Sequence, residues 1–161
     1  RFHAQGTLAG GGSFERSHSA LFQISPSTAS LNGSYTDMPV PRWPGAAVYA
    51  ALDVTAGVNV TAAGDYSLSG NLVDAAGNQV AHALATATLP AGTRAITFRF
   101  DGGDIYRSGR DGPYTLTDML LVDNAGAALV IQQAQAVYVT RPYAARDFRV
   151  GDVFLPVVIR R

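Results

Sequence analysis

Tyr66-Ser67-Leu68-Ser69-Gly70-Asn71-Leu72 is the stretch that decides the fold. Tyr66, Leu68, Gly70 and Leu72 alternate with Ser67, Ser69 and Asn71, a period of two that marks a strand with one buried and one wet face. A turn signal, Asp74-Ala75-Ala76-Gly77-Asn78, follows. The chain then resumes with Val80, His82, Leu84 and Thr86 alternating with Ala81, Ala83, Ala85 and Ala87, so the pair reads as a hairpin. Alanine is the best helix former, but the interleaved threonines and flanking turns leave room only for a short element, and 81–87 is read as strand.

Beyond Leu89-Pro90-Ala91-Gly92, Ile96, Phe98 and Phe100 alternate with Thr97 and Arg99, a third strand whose aromatic side should face the core. Further strands are expected over 48–61, 114–122 and 128–139, punctuated by Asp-Gly-Gly, Asp-Gly-Pro and Asp-Asn-Ala-Gly turns. The expectation is an all-β, two-sheet antiparallel β-sandwich of the Ig-like or jelly-roll-like kind with extended terminal strands. Its expected parts are an N-terminal strand arm and glycine hinge over 1–12, the sandwich over 13–148 and a C-terminal strand over 149–161.

At 161 residues, one domain is expected, able to bury roughly two thirds of its unfolded surface without staples. Cysteine is absent, which excludes disulfides, thiolate metal sites and thiol nucleophiles. The formal net charge is zero and the apolar runs are short, which speaks against a nucleic-acid partner and a membrane span. Every basic residue is Arg and Glu15 is the only Glu, so long helices are not expected. Without Lys there is no Schiff base, no Lys general base and no Lys–Asn isopeptide crosslink. The chain opens at Arg1 with no n-region or apolar h-region, as expected of a processed mature chain or an excised fragment.

One ordered set of motifs carries a resemblance. Gly64-x-Tyr66-x-Leu68-x-Gly70-x-Leu72-x-Asp74-x-x-Gly77 is followed by Leu89-x-x-Gly92, Phe98-x-Phe100-Asp101-Gly102 and Ile105. Then come Ser108-Gly109-x-Asp111-Gly112-Pro113-Tyr114-x-Leu116 and Tyr138-x-Thr140-x-x-Tyr143-x-x-x-Asp147-Phe148. Over about 46–148 this order resembles a recurrent β-sandwich module of bacterial and archaeal secreted and cell-surface proteins, found beside peptidase, adhesion or von Willebrand type A domains. The resemblance implies an extracellular structural or accessory role and transfers no catalytic residue. The ending Phe154-Leu155-Pro156-Val157-Val158-Ile159-Arg160 also resembles tails of some secreted bacterial proteins.

Ion chemistry, if present, belongs to the loop from Asp101 to Asp118. Asp101, Asp104 and Asp111 stand among glycines, and calcium takes several hard oxygens on a backbone able to fold around it. The other reading of the same residues is ordinary turn chemistry, since the spacing is not that of an EF-hand. Asp118 falls on the face of Tyr114, Leu116 and Leu120, so it is either a buried carboxylate needing a partner or a residue turned outward by a bulge.

No enzyme is expected. His3, His18 and His82 fit no zinc spacing, nucleophile elbow or phosphate loop, and His82 reads as a packed or edge residue. Trp43, in Pro39-Val40-Pro41-Arg42-Trp43-Pro44-Gly45, is either a glycan-stacking indole, with Tyr49 or Tyr106 beside it, or a plug for one end of the sandwich. Asn32-Gly33-Ser34 and Asn59-Val60-Thr61 match the glycosylation acceptor and decide nothing.

The termini suggest assembly. Phe2, Ala4, Gly6 and Leu8 alternate with His3, Gln5 and Thr7, and Gly10, Gly11 and Gly12 follow as a hinge. A detachable strand can complete a neighbour's sheet, and repeated head to tail this builds a filament. Val153, Leu155, Val157 and Ile159 form a second candidate strand that Pro156 confines to an edge. Both strands could equally fold back on their own domain. The functional expectation is an extracellular or cell-surface structural subunit, homo-oligomeric through terminal-strand exchange, with calcium at the three aspartates and Phe2, Ala4 and Leu8 inserted. The alternative is a monomeric accessory or carbohydrate-binding module of a larger secreted protein.

Overall fold

The computed structural model describes residues 2–7, 9–18, 27–126 and 128–149. The elements in order are β1 (Phe2–Thr7), β2 (Ser13–His18), β3 (Ala29–Pro41), β4 (Tyr49–Val60), β5 (Gly64–Val73), β6 (Gln79–Leu89), β7 (Gly92–Asp101), α1 (Gly102–Ser108), β8 (Thr115–Asp123), β9 (Leu129–Ala134), β10 (Tyr138–Val139) and a 3-10 turn (Ala145–Phe148). Two antiparallel sheets pack face to face. One has the order β3-β4-β7; the other runs β10-β8-β5-β6, with β9 also paired to β8. The expected β-sandwich is the fold observed.

The deciding stretch lies at the centre. β5 pairs with β6 on one side and β8 on the other, and Tyr66, Leu68 and Leu72 are fully buried. From the facing sheet, Leu52, Val54, Val58, Phe98 and Phe100 enter the same core. The two phenylalanine rings lie 5.9 Å apart in a tilted arrangement, and full burial of each such side chain contributes roughly 2–3 kcal/mol.

On β6 it is the alanines that face inward, while His82, Leu84, Thr86 and Thr88 face out. A register shift opposite Leu72–Val73 sets this phase and leaves both Val80 and Ala81 buried. Small inner side chains let the sheets approach where the chain crosses from β6 to β7 through Pro90-Ala91.

Two tyrosines pin the entries to the central strands. Tyr66 donates its hydroxyl to the Ala62 carbonyl at 2.6 Å, and Tyr114 does the same to Arg110 at 2.8 Å. Both reach four residues back, the geometry of the tyrosine corner in sandwich folds.

Between β7 and β8 the chain forms α1, where a loop was expected. Asp101 caps it by accepting from the Asp104 N–H at 3.2 Å, and Gly109 ends it at φ +62°. Ile105 is buried under it. β3 was not anticipated either: its register breaks between Leu31 and Tyr35 around Gly33 at φ +84°, and Pro39 and Pro41 are tolerated because the strand lies at a sheet edge.

Among the described residues, β1 and β2 pair only with each other, Phe2 opposite His18 and Thr7 opposite Ser13. Gly10, Gly11 and Gly12, the expected hinge, lie in the connection between them. Leu8 and the C-terminal strand expected at 153–159 lie outside the described residues.

Candidate functional site

One side of the sandwich is closed by the tight turn from β6 to β7. The other side is open, with β3 of one sheet facing β9 and β10 of the other, and polar side chains bridge that seam. Thr28 donates to Asp123 at 2.6 Å, the Leu31 N–H donates to Gln132 Oε1 at 2.7 Å, and the rings of Tyr35 and Tyr138 stack 5.7 Å apart.

The seam centres on Asp37, whose side chain is 1% exposed. Oδ1 accepts from the Tyr138 hydroxyl at 2.5 Å and the Arg141 N–H at 3.3 Å. Oδ2 accepts from Arg141 Nε at 3.0 Å and from the Tyr143 hydroxyl. Arg141 Nη2 also donates to the Asp37 carbonyl at 2.6 Å. Burial pushes the Asp37 carboxyl up, but the tyrosine hydroxyls and then Arg141 outweigh it and hold the group below the usual carboxylate range. Burial, then the bond to Asp37, pushes Tyr138 up to about 12, and the same causes raise Tyr143. Four donors fill the acceptor positions of a carboxylate, so Asp37 has no lone pair left for a ligand or a proton in flight. It is a clasp.

A depression better suited to a ligand opens at the end of the sandwich where the β3–β4 turn, the start of α1 and the 3-10 turn meet. It has a volume of about 400 Å³ and is lined by Arg42, Tyr49, Asp101, Gly103, Arg107 and Phe148. Tyr49 packs against Phe148 at 5.4 Å, which in turn meets Tyr143 edge-on at 5.9 Å. Arg42 reaches the Arg149 carbonyl at 3.0 Å. Aromatic surface beside guanidinium and carboxylate groups is the chemistry that holds a polar ligand with an apolar face. Trp43 stands in the adjoining turn, which is closed by Arg42 N–H to Val48 and Ala46 N–H to Trp43. It is 56% exposed and does not plug the core. Tyr106, its other expected companion, is exposed on α1.

The three aspartates expected to hold calcium each have a protein partner. Asp101 caps α1, Asp104 pairs with Arg107, and Asp111 accepts the Ala145 N–H at 2.8 Å, tying the loop before β8 to the 3-10 turn. Among the described residues, no group of three or more His, Cys, Asp or Glu side chains is placed to hold a metal ion, so these three do not converge. Asp118 takes the outward alternative. A bulge in the β5–β8 register sets it at φ +50°, exposed, and rotates Met119 and Leu121 inward in place of Leu120. His82 is exposed on the edge strand β6, its Nδ1 2.9 Å from Asn71 Oδ1. Phe2 and Ala4 lie on β1, opposite His18 and Arg16.

The family model described as the C-terminal domain of the domain of unknown function DUF4785 matches residues 40–140, from the end of β3 to just past β10. The chain belongs to this family. The DUF4785 match spans β4 to β10 and all the motifs from Gly64 to Tyr138, while Asp37, Arg141 and Tyr143 fall just outside its limits. No curated protein and no solved structure matches this DUF4785 domain. Among the described residues, none of its helices is long and apolar enough to cross a membrane.

Proposed function

We propose that this domain is a noncatalytic accessory module of a longer extracellular or cell-surface protein, and that it contacts a glycan through Trp43 and the depression beside it. The observation that carries the reading is the exposure of Trp43 in a turn held by two backbone hydrogen bonds. Exposing the only Trp of the chain forgoes the burial usual for so large a ring, and a preorganised indole stacks on sugars at low entropic cost. The family description as a C-terminal domain supports a place in a longer chain.

Trp43 is also its own reporter. Titrating the full chain with soluble polysaccharides should shift and quench indole fluorescence saturably, and Trp43→Phe should keep binding better than Trp43→Ala, read by affinity electrophoresis. No saturable change with any polysaccharide, or retention unaffected by Trp43→Ala, sinks the reading.

Self-assembly by exchange of the N-terminal strand is a separate proposal, and it requires β1 to leave β2. Sedimentation velocity in calcium, beside a chain lacking residues 1–12, distinguishes the two. Polymers that vanish with the truncation favour exchange, and a monomer in both samples favours the accessory module.

A further inference from the structure

The bulge at Asp118 also organises the outer face of the β10-β8-β5-β6 sheet, away from Trp43. The Asp118 carboxylate accepts from Asn71 Nδ2 at 3.2 Å through one oxygen and from Gln135 Nε2 at 3.2 Å through the other. Asn71 Oδ1 in turn lies 2.9 Å from His82 Nδ1. His82, Asn71, Asp118 and Gln135 thus form one hydrogen-bonded row running from β6 through β5 and β8 to the end of β9. At about 4.8 Å between neighbouring strands the row is about 14 Å long, the length of a short oligosaccharide.

Strand register places a second row beside it. Leu84 pairs with Ser69, Ser69 with Leu120, and Leu120 with Gln133. Leu84 is 63% exposed there. Where β8 and β9 part at the bulge, a cleft of about 210 Å³ opens, lined by Ser69, Asp118, Leu120, Gln133 and Gln135. A polar row runs beside a mixed one in which Leu84 and Leu120 alternate with Ser69 and Gln133, with a cleft at one end.

We infer that this face is a second glycan-binding surface, taking a neutral oligosaccharide laid across the strands. Sugar rings present hydroxyls at their edges and C–H groups on their faces. The hydroxyls would donate to the Asp118 oxygens, each of which keeps acceptor capacity beyond its one amide, and exchange hydrogen bonds with Gln133 and Gln135. The C–H faces would cover Leu84 and Leu120. Asp118 is the one acidic side chain in the two rows, so uronate, sulfate or phosphate groups are repelled.

The surface stands on its own geometry, independent of Trp43, and the test separates the two. Amide correlation spectra of the full chain are followed as cellohexaose, maltohexaose and xylohexaose are each added to millimolar concentration. At least one should move the side-chain amides of Asn71, Gln133 and Gln135 saturably. Asp118→Gly, which removes the carboxylate and suits the backbone, should weaken that binding about tenfold or more, the range expected for a charge-assisted hydrogen bond, and Trp43→Ala should leave it unchanged. The inference is overturned if none of the three sugars moves these amides, if shifts confined to Trp43 appear instead, if Asp118→Gly binds as tightly, or if oligogalacturonate moves the same amides equally. Capture of a protein partner that Asp118→Gly abolishes, with no sugar response, overturns it in favour of a protein ligand.

Discussion

Tyr138 and Asp37, 101 residues apart in the chain, are joined by a 2.5 Å hydrogen bond across the open side of the sandwich. Because Tyr143 and Arg141 converge on the same carboxylate, removing it leaves two half-buried hydroxyls and the Arg141 Nε without their acceptor, while Arg141 Nη2 keeps the Asp37 carbonyl. Asp37→Ala should therefore destabilise the domain by about 3 kcal/mol, and Asp37→Asn, which keeps one acceptor oxygen, by about 1–2 kcal/mol. Urea denaturation checks this through the midpoint, with the slope unchanged. A loss under 0.5 kcal/mol, on the order of a surface substitution, would contradict the clasp.

The same cluster sets the pH limits. The Asp37 carboxyl is held below its ordinary value in the folded state, so its contribution is present above about pH 4 and is lost as pH falls through the folded value. Tyr138 is raised to about 12 from 10.0. The unfolded chain then loses that proton first, and stability should fall as pH rises from 10 towards 12. Tyr35, Tyr114 and Tyr143 are raised too, so four of the seven tyrosines should ionise late when absorbance is followed. In Asp37→Ala, Tyr138 and Tyr143 should ionise earlier. An unchanged titration would refute the assignment.

Gly102 starts α1 against the edge of the core. A Cβ there would meet the Ala50 carbonyl oxygen at 2.5 Å and its carbon at 2.8 Å, backbone atoms that cannot swing aside. Gly102→Ala should cost about 2–3 kcal/mol by overpacking and lower the melting temperature by roughly 4–12 °C for a chain of this size. Gly77→Ala, whose strain is one of φ alone with open space around it, should cost less.

The bulge predicts an ordering at Asp118. Its φ of +50° suits glycine, is tolerated by Asp and Asn, and is costly for a β-branched side chain. Asp118→Gly should stay within about 0.5 kcal/mol of the parent, while Asp118→Val should lose about 1–2 kcal/mol. Equal stabilities in thermal melts would mean that the strand has slipped to a regular register.

The central strands were legible because their inner and outer faces differ at every step. Tyr66 to Leu72 and Ile96 to Phe100 each have one dry face, and period-two alternation reports exactly that asymmetry. β3 hid because its alternation breaks at the bulge around Asn32-Gly33 and ends in prolines, and edge strands tolerate both. Asp37 was invisible for a different reason: a single acid in a strand gains meaning only from residues a hundred positions later. A weak signal existed, since Tyr138, Thr140 and Tyr143 belong to an ordered motif with no partner in view. The corners were written twice, as Gly64-x-Tyr66-x-Leu68 and Gly112-x-Tyr114-x-Leu116. For the acidic loop, spacing alone could not tell three caps and ties from three ligands, because Asp accepts a backbone N–H as readily as it binds an ion.

The seam also fixes an order of events during synthesis. The last residue of β3 is Pro41, and the clasp is complete only at Tyr143. At about 5–20 residues per second, β3 leaves the ribosome roughly 5–20 s before its closing residues do. For that interval its outer edge is an open template for any strand nearby, and the prolines at its end shorten that template from one side. Nascent chains are thus most exposed to mispairing in the window between the two halves of the clasp, and a stop or frameshift before residue 138 would make that exposure permanent.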